Sequence, residues 1–198
     1  MKKLFDFTMS LDEKTPVFPG DPRQEITEIA TLKENGWNEK RLSFNSHFST
    51  HIDAPYHMLK NGKKLDEFPL ETFKGDAVVL DLLKPDLELV KPGDIVFFCT
   101  NQTKKAHSRD FFSNNPVITL ELAGKLIEKK AKVVGIDSFT VDNEPFPVHK
   151  MLLKNGVLIV ENLVNLEQVE GIRFECIIAP LNIKDADGAP CRVFGWLK

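Results

Sequence analysis

The chain has 198 residues, of which 42% are hydrophobic and 28% are charged, and this predicts a single domain over residues 1–198 with one well-packed core. The formal net charge is -3, and the Lys and Arg residues are spread along the chain. Because nucleic-acid-binding domains usually carry a clustered basic surplus, we expect no nucleic acid among the partners.

Cysteine usage and hydropathy favour a cytoplasmic protein. Cys99, Cys176 and Cys191 lie far apart, form no CxxC pair and leave an odd count, a pattern typical of reduced thiols. Charged residues interrupt the apolar start of the chain, and no run of about 18 apolar residues occurs anywhere. We therefore expect a soluble cytoplasmic protein with no membrane partner.

The first predicted elements are a proline-rich loop and a hairpin. Residues 15–22 contain three prolines within seven positions, which disfavours regular helix and predicts a stiff loop. Sequence pattern alone favours the simpler interpretation, in which this loop connects two strands, over the sharper one, in which Phe18 is an aromatic wall of a pocket. Residues 24–32 and 40–45 favour strands, and an Asn-Gly pair between them indicates a turn, so we predict a β-hairpin.

The hairpin leads into a histidine-rich stretch at residues 46–57. It contains three of the five histidines in the chain, His47, His51 and His57, together with Asp53. Imidazole and carboxylate are ligands that suit zinc or manganese, so the stretch predicts a metal site. The alternative is a solvated loop, or a histidine pair satisfied by hydrogen bonds. The density of ligand-type groups beside a stiffening proline favours the metal site.

Local sequence limits how these groups can meet. Pro55 and the β-branched residues before it disfavour a helix, and Phe48 stands where helical zinc proteases need a Glu. If residues 50–57 are extended, the two histidines and the aspartate within them point to one side of the chain, because side chains alternate. His47 is then able to curl back and join them.

The second half of the chain alternates strands and helices. Amphipathic patterns predict one helix over residues 119–130, capped by Thr119, and a shorter one from Pro147 to Asn155. Apolar runs predict buried strands at residues 77–83, 95–100, 133–137, 157–160, 176–181 and 192–197. This alternation predicts an α/β arrangement with helices packed on a sheet.

Two more ligand-type residues lie in this half. His149 falls on the shorter helix, and Glu161 falls at the outer end of the strand that follows it. Each alone is weak evidence, since such residues are usually solvated. The helix, the turn and the strand fold back as one unit, however, which can bring both side chains to the same edge of the sheet. The remaining histidine, His107, has charged neighbours, so we expect it at the surface.

The sequence resembles a known family. The run His47-Phe48-Ser49-Thr50-His51-Ile52-Asp53-Ala54-Pro55-Tyr56-His57 is similar to the motif HxGTHxDxPxH of the bacterial kynurenine formamidases and related cyclase-family metal-dependent hydrolases. Segments that follow the order of the family are found at residues 16–22, 135–138, 149–153, 161–166, 180–181 and 187–192. The resemblance therefore covers almost the whole chain.

The resemblance implies a fold and a site. The fold is an α/β one with a swivelling β/β/α arrangement, a mixed β-sheet core and packed helices, usually in a homodimer. The site holds one or two divalent ions, zinc or manganese by ligand type. The implied ligands are His47, His51 and Asp53 for one ion, with Asp53 bridging to a second ion held by His149 and Glu161. His57 is implied as general acid and base.

Two positions depart from the family pattern. Ser49 replaces a glycine, which places a side chain beside the metal loop and can change the backbone or add a hydroxyl near the ligands. Phe18 stands where the kynurenine formamidases tend to have a tryptophan, so an aromatic surface for substrate binding remains while the indole donor is lost. The second departure bears on the identity of the substrate.

The predicted function is metal-dependent hydrolysis of a C–N bond other than a peptide bond, in a small formamide or cyclic amide. One rival is a lyase or cyclase that uses the same metals on a related carbonyl substrate. Another is a metal-binding protein without catalysis. The sequence leaves all three open. The hydrolase and the lyase or cyclase differ in whether oxygen from water enters the product, and the metal-binding protein differs from both because it turns over no substrate.

Overall fold

The computed structural model describes residues 3–108 and 110–198. In chain order, the strands within these residues are β1 (Leu4–Asp6), β2 (Glu25–Ala30), β3 (Glu39–Ser43), β4 (His51–Asp53), β5 (Lys74–Asp81), β6 (Ile95–Cys99), β7 (Val133–Ile136), β8 (Leu158–Glu161), β9 (Arg173–Pro180) and β10 (Gly188–Trp196). The helices are α1 (Leu32–Asn35), α2 (Leu120–Glu128) and α3 (Pro147–Lys154).

Eight of the strands form one mixed sheet in the order β1-β10-β4-β8-β7-β6-β5-β9. Since β9 also pairs with β10, the seven strands from β10 round to β9 close into a barrel. The neighbours β5, β6, β7 and β8 run parallel, and α2 and α3 lie on the crossovers that parallel pairing requires. The predicted mixed-sheet core with packed helices is confirmed.

Both faces of the central strands are buried. Along β6, Phe97 packs into a core inside the barrel, while the adjacent Phe98 packs into a second core under α2 and α3. Strands covered on both faces have continuous apolar runs rather than alternating ones. For this reason, the central strands could be predicted from the sequence.

The remaining predicted elements are found with small shifts in their ends. Thr119 caps α2, as expected, by accepting a hydrogen bond from the backbone N–H of Leu122 at 3.1 Å. The predicted hairpin is β2 and β3, which pair antiparallel, with α1 between them and Gly36 ending it at a φ of +82°. His107 is exposed, as predicted. Among the described residues, no helix has the length and apolarity needed to cross a membrane.

One expectation is wrong. The chain does not stay extended from residue 50 to residue 57, because β4 ends at Asp53 and Pro55–His57 form a turn of 3₁₀ helix. Proline sits well at the first position of such a turn, since its fixed φ suits the turn and its missing N–H is not needed there. His57 therefore reaches its position by this turn rather than by strand alternation.

Two glycines provide a matched test of the packing. In β7, a Cβ on Gly135 would lie 2.6 Å from Cδ1 of the buried Phe97 ring, so Gly135→Ala should lower the free energy of unfolding by about 1–3 kcal/mol. In α2, a Cβ on Gly124 would meet Met151 Cε at an ordinary contact distance of 3.6 Å. Gly124→Ala should therefore raise the free energy of unfolding by about 0.5–1 kcal/mol. Urea unfolding of both variants measures these changes, and effects of the same sign would contradict this packing.

Candidate metal centre

Three elements of the fold place ionisable side chains close to one another. His51 and Asp53 lie on β4 and share a face, because Ile52 between them packs into the barrel core. β8 runs antiparallel to β4, with Glu161 directly opposite His51. His149 lies in the first turn of α3, whose chain leads into β8. Strand pairing and this helix–strand unit thus bring four residues together.

Asp53 lies at the centre of the group. Its side chain is 1% exposed, and its Oδ1 lies 2.8 Å from His47 Nδ1 and 3.4 Å from His51 Nε2. Its Oδ2 lies 3.7 Å from His149 Nε2 and has no hydrogen-bond partner among the described residues. A buried carboxylate oxygen without a partner costs free energy, and a cation bound there removes that cost. This oxygen fits a metal ion.

Glu161 supplies the second carboxylate. Its Oε1 lies 3.2 Å from His149 Nε2 and accepts a hydrogen bond from the backbone N–H of Val141 at 2.8 Å. Its Oε2 lies 3.5 Å from His51 Nε2. Ligand atoms of His51, Asp53 and Glu161 all lie within 4.8 Å of one another, which is compatible with a shared ion.

The outer ring nitrogens of the three histidines follow one pattern. His51 Nδ1 donates to the carbonyl oxygen of Ser49 at 2.8 Å. In the same way, His149 Nδ1 lies 2.5 Å from Asp142 Oδ1, and His47 Nε2 lies 2.8 Å from Asp187 Oδ2. Each imidazole therefore has one nitrogen on an oxygen acceptor and the other facing Asp53. Metal-ligating histidines are typically held in this way.

The carboxylates favour positive charge in the cluster. Burial lowers the pKa of His149, but hydrogen bonds with Asp142 and Glu161 outweigh burial and raise that pKa to about 10. Burial also lowers the pKa of His47, while the charge of Asp53 and hydrogen bonds to two carboxylates raise it to about 10. Burial raises the pKa of Asp53, yet the neighbouring histidines hold it well below its usual range. A site with these properties stabilises a cation.

Sequence reasoning missed Asp142 as an orienting residue. One of its carboxylate oxygens faces His149 Nδ1, and the other accepts hydrogen bonds from the backbone N–H groups of Val148 and His149, at 2.5 and 3.3 Å. It therefore also satisfies the start of α3. The sequence contained one signal for this role of Asp142, which is an acidic residue a few positions before a proline that begins a helix.

Ser49 keeps the backbone conformation that a glycine would adopt. Its φ is +59°, in the left-handed region, and its hydroxyl donates to the carbonyl oxygen of Met9 at 3.1 Å rather than to a ligand. Two other residues beside the site, Phe146 and Asn162, also have left-handed φ values, of 59° and 56°. Such residues cost about 1–3 kcal/mol each and cluster at functional sites.

The charged cluster lies at one wall of a cavity of about 490 Å³. Aromatic side chains also line this cavity, and these are Phe18, Phe111, Phe112, Phe139 and Phe146. His57 also lines the cavity, with its ring centroid 3.9 Å from that of His47. Burial lowers the pKa of His57. The proline-rich loop is thus part of the pocket, as its sharper interpretation predicted.

The structure therefore brings together the five residues predicted as ligands, with His57 and Phe18 on the same cavity. His57 also belongs to a possible ligand group with His47 and Asp53, so its role as a proton carrier needs a direct test. The imidazole and carboxylate donors suit zinc or manganese.

Comparisons with known proteins show which family the chain belongs to. The family model described as putative cyclase matches residues 5–143. A kynurenine formamidase of Bacillus mycoides strain KBAB4 is 29% identical over 198 residues, covering 94% of each chain. A solved structure titled as a potential metal-dependent hydrolase with cyclase activity superposes with a TM-score of 0.83 and 28% identity, covering 100% of this chain and 99% of that one.

A second solved structure is isatin hydrolase A from Labrenzia aggregata bound to benzyl benzoate. It has a TM-score of 0.85 and 27% identity, covering 98% of this chain and 93% of that one. Since the family model spans well over half of the 198 residues, the chain belongs to the putative cyclase family.

Proposed function

We propose that this protein is a metal-dependent hydrolase that cleaves the C–N bond of a small amide, a formamide or a cyclic amide. The observation that carries the proposal is the buried, unpartnered Oδ2 of Asp53, which faces the imidazole of His149 at the wall of an aromatic cavity. The kynurenine formamidase and isatin hydrolase relatives support the same reaction class.

We propose the following ligand sets. His47, His51 and Asp53 would hold one divalent ion, and Asp53, His149 and Glu161 would hold a second, with zinc or manganese as the metal. Asp53 can serve both because a carboxylate has two oxygens, whereas an imidazole has one free nitrogen. A divalent ion, when bound, supplies Lewis acidity, which makes water a nucleophile near neutral pH and polarises the substrate carbonyl.

His57 is the proposed general base and acid. It lines the cavity beside His47, within reach of a substrate that faces the charged wall. Imidazole exchanges protons near neutral pH, so His57 can accept a proton from the attacking water and deliver it to the leaving nitrogen. Protonation of that nitrogen is needed because an amide anion is a poor leaving group.

Phe18 is the proposed substrate-binding residue. Its ring lies 6.0 Å from that of Phe139 and 6.4 Å from that of Phe112, in tilted and edge contacts. Such a wall binds an aromatic or alkyl group and leaves the amide facing the charged side. The substrate is therefore a small molecule with an apolar part beside its amide.

Three further expectations are part of this proposal. The chain acts as one domain over residues 1–198, as a homodimer or higher homo-oligomer, and in the cytoplasm. The dimer is supported by the family resemblance, and the compartment by cysteines that are all free and buried.

Labelled water tests the reaction type. When the metal-loaded protein acts on a panel of aryl formamides and aromatic lactams in H₂¹⁸O, mass spectrometry should find one labelled oxygen in each acid product, because water attacks the carbonyl. Chelator-treated protein is the control and should release no product. Turnover without label would favour a lyase or cyclase, and no turnover of any compound in the panel would favour a metal-binding protein without catalysis.

Replacement of His57 tests its separate role. His57→Ala should lower kcat by about 10²–10⁴-fold, because proton transfer by a positioned group contributes that much, and should keep the zinc or manganese content of the wild type. His107→Ala, at an exposed histidine in the polar loop, is the matched control and should change neither quantity. Loss of metal from His57→Ala would instead make it a ligand.

A further inference from the structure

His47 differs from the other clustered histidines in how the fold holds it. His51 lies on β4 and His149 on α3, and both side chains are 3% exposed. His47 lies in the irregular segment between β3 and β4, and its side chain is 19% exposed. No hydrogen bonds of a regular element fix it, so its orientation depends on side-chain contacts.

The start of β10 provides these contacts. Asp187 Oδ2 lies 2.8 Å from His47 Nε2. The next residue, Gly188, leaves room for the ring, because a Cβ there would lie 2.8 Å from His47 Cε1. Asp187 and Gly188 together form a seat for the imidazole.

The backbone fixes this seat relative to the centre of the site. The carbonyl oxygen of Asp187 accepts a hydrogen bond from the backbone N–H of Ala54 at 2.8 Å, and Gly188 pairs with Asp53 in the ladder between β10 and β4. The carboxylate of Asp187 is therefore held at a set distance from that of Asp53. Between them, the ring of His47 spans the gap with its two nitrogens.

The same carboxylate faces a second imidazole. Asp187 Oδ2 lies 3.7 Å from Nδ1 of His57, whose ring lies over that of His47. Asp187 does not line the cavity formed by the described residues, so it acts on the site through the two histidines rather than by touching substrate.

We propose that Asp187 is a positioning residue of the metal centre, which holds Nε2 of His47 so that Nδ1 faces Asp53 and the bound ion. This inference rests on the proposed function, because it assigns His47 to the ligand set. Asp187 is then the counterpart of Asp142, which holds His149 from the other side of the cluster. Outer acceptors of this kind typically change metal affinity by about 10–100-fold.

Zinc affinity measures this role without any substrate. Protein freed of metal with a chelator is titrated with Zn²⁺ against a chromophoric competitor, and Asp187→Asn should bind zinc about 10–100-fold more weakly than the wild type. Asp187→Glu, which restores a carboxylate, should recover part of the affinity. Asp185→Asn is the matched control, because Asp185 is two positions away, is 57% exposed and pairs with Lys64. It should bind as the wild type does.

A double-mutant cycle separates positioning from a general structural effect. In a His47→Ala background, Asp187→Asn should cause no further loss of zinc affinity, because of the two histidines that Asp187 faces only His47 is a proposed metal ligand. An equal loss in both backgrounds would contradict the proposal. Circular dichroism shows whether each variant folds, and Asp187→Ala replaces Asp187→Asn if the latter does not. The Asp187 backbone bond to Ala54 remains in either variant.

The outcomes distinguish the inference from the proposed function. If the wild type and Asp187→Asn bind zinc equally well, only the proposed role of Asp187 is overturned. Wild-type protein that binds neither zinc nor manganese overturns the metal centre itself. Weakened binding in Asp187→Asn, together with a wild type that turns over no amide, supports the positioning role and contradicts the hydrolase.

Discussion

The site depends on one buried carboxylate. Asp53 is shielded from water by the barrel, and a carboxylate in that position is stable only with positive charge beside it. Three imidazoles surround it, and each is held on its outer nitrogen by an oxygen acceptor. The arrangement concentrates negative charge around a small volume and leaves one oxygen of Asp53 without a partner among the residues that the structure describes. These are the conditions in which a divalent cation contributes to the stability of the folded protein as well as to chemistry.

The position of β4 inside the sheet, between β8 and β10, makes this arrangement possible. β4 has only three residues, yet it pairs with β8 on one side and β10 on the other. Through β8 it meets Glu161 and the helix that carries His149, and through β10 it meets Asp187. Side chains separated by more than a hundred positions thus reach one carboxylate. A strand order that left β4 at an edge would lack one of these sides.

Much of the fold could be predicted from the sequence, because the central strands are covered on both faces and their apolar runs are continuous. The ligand-type residues could be predicted as well, since four of them fall in one short stretch. The pairing of β9 with β10 could not, because it depends on which strand edges meet after the sheet coils. The turn at Pro55–His57 could not be predicted for a different reason, because a proline is compatible with both an extended chain and the first position of a helix.

The orienting carboxylates depend mainly on tertiary contacts. Asp142 has one local signal, its place a few positions before a proline that begins a helix, whereas the role of Asp187 arises only from its contact with His47 in the folded chain. Ser49 shows the opposite case, in which a departure from the family pattern leaves the local conformation in place. Its left-handed backbone is kept, and its hydroxyl has a backbone partner away from the ligands.

The central claim is that residues from β4, α3 and β8 bind metal together, and metal content tests it most directly. Elemental analysis of purified wild type, His51→Ala and His149→Ala, each supplied with zinc or manganese, should find bound metal in the wild type and a clear loss in both variants. His107→Ala controls for removal of a histidine outside the cluster. Full metal content in both His51→Ala and His149→Ala would contradict the account.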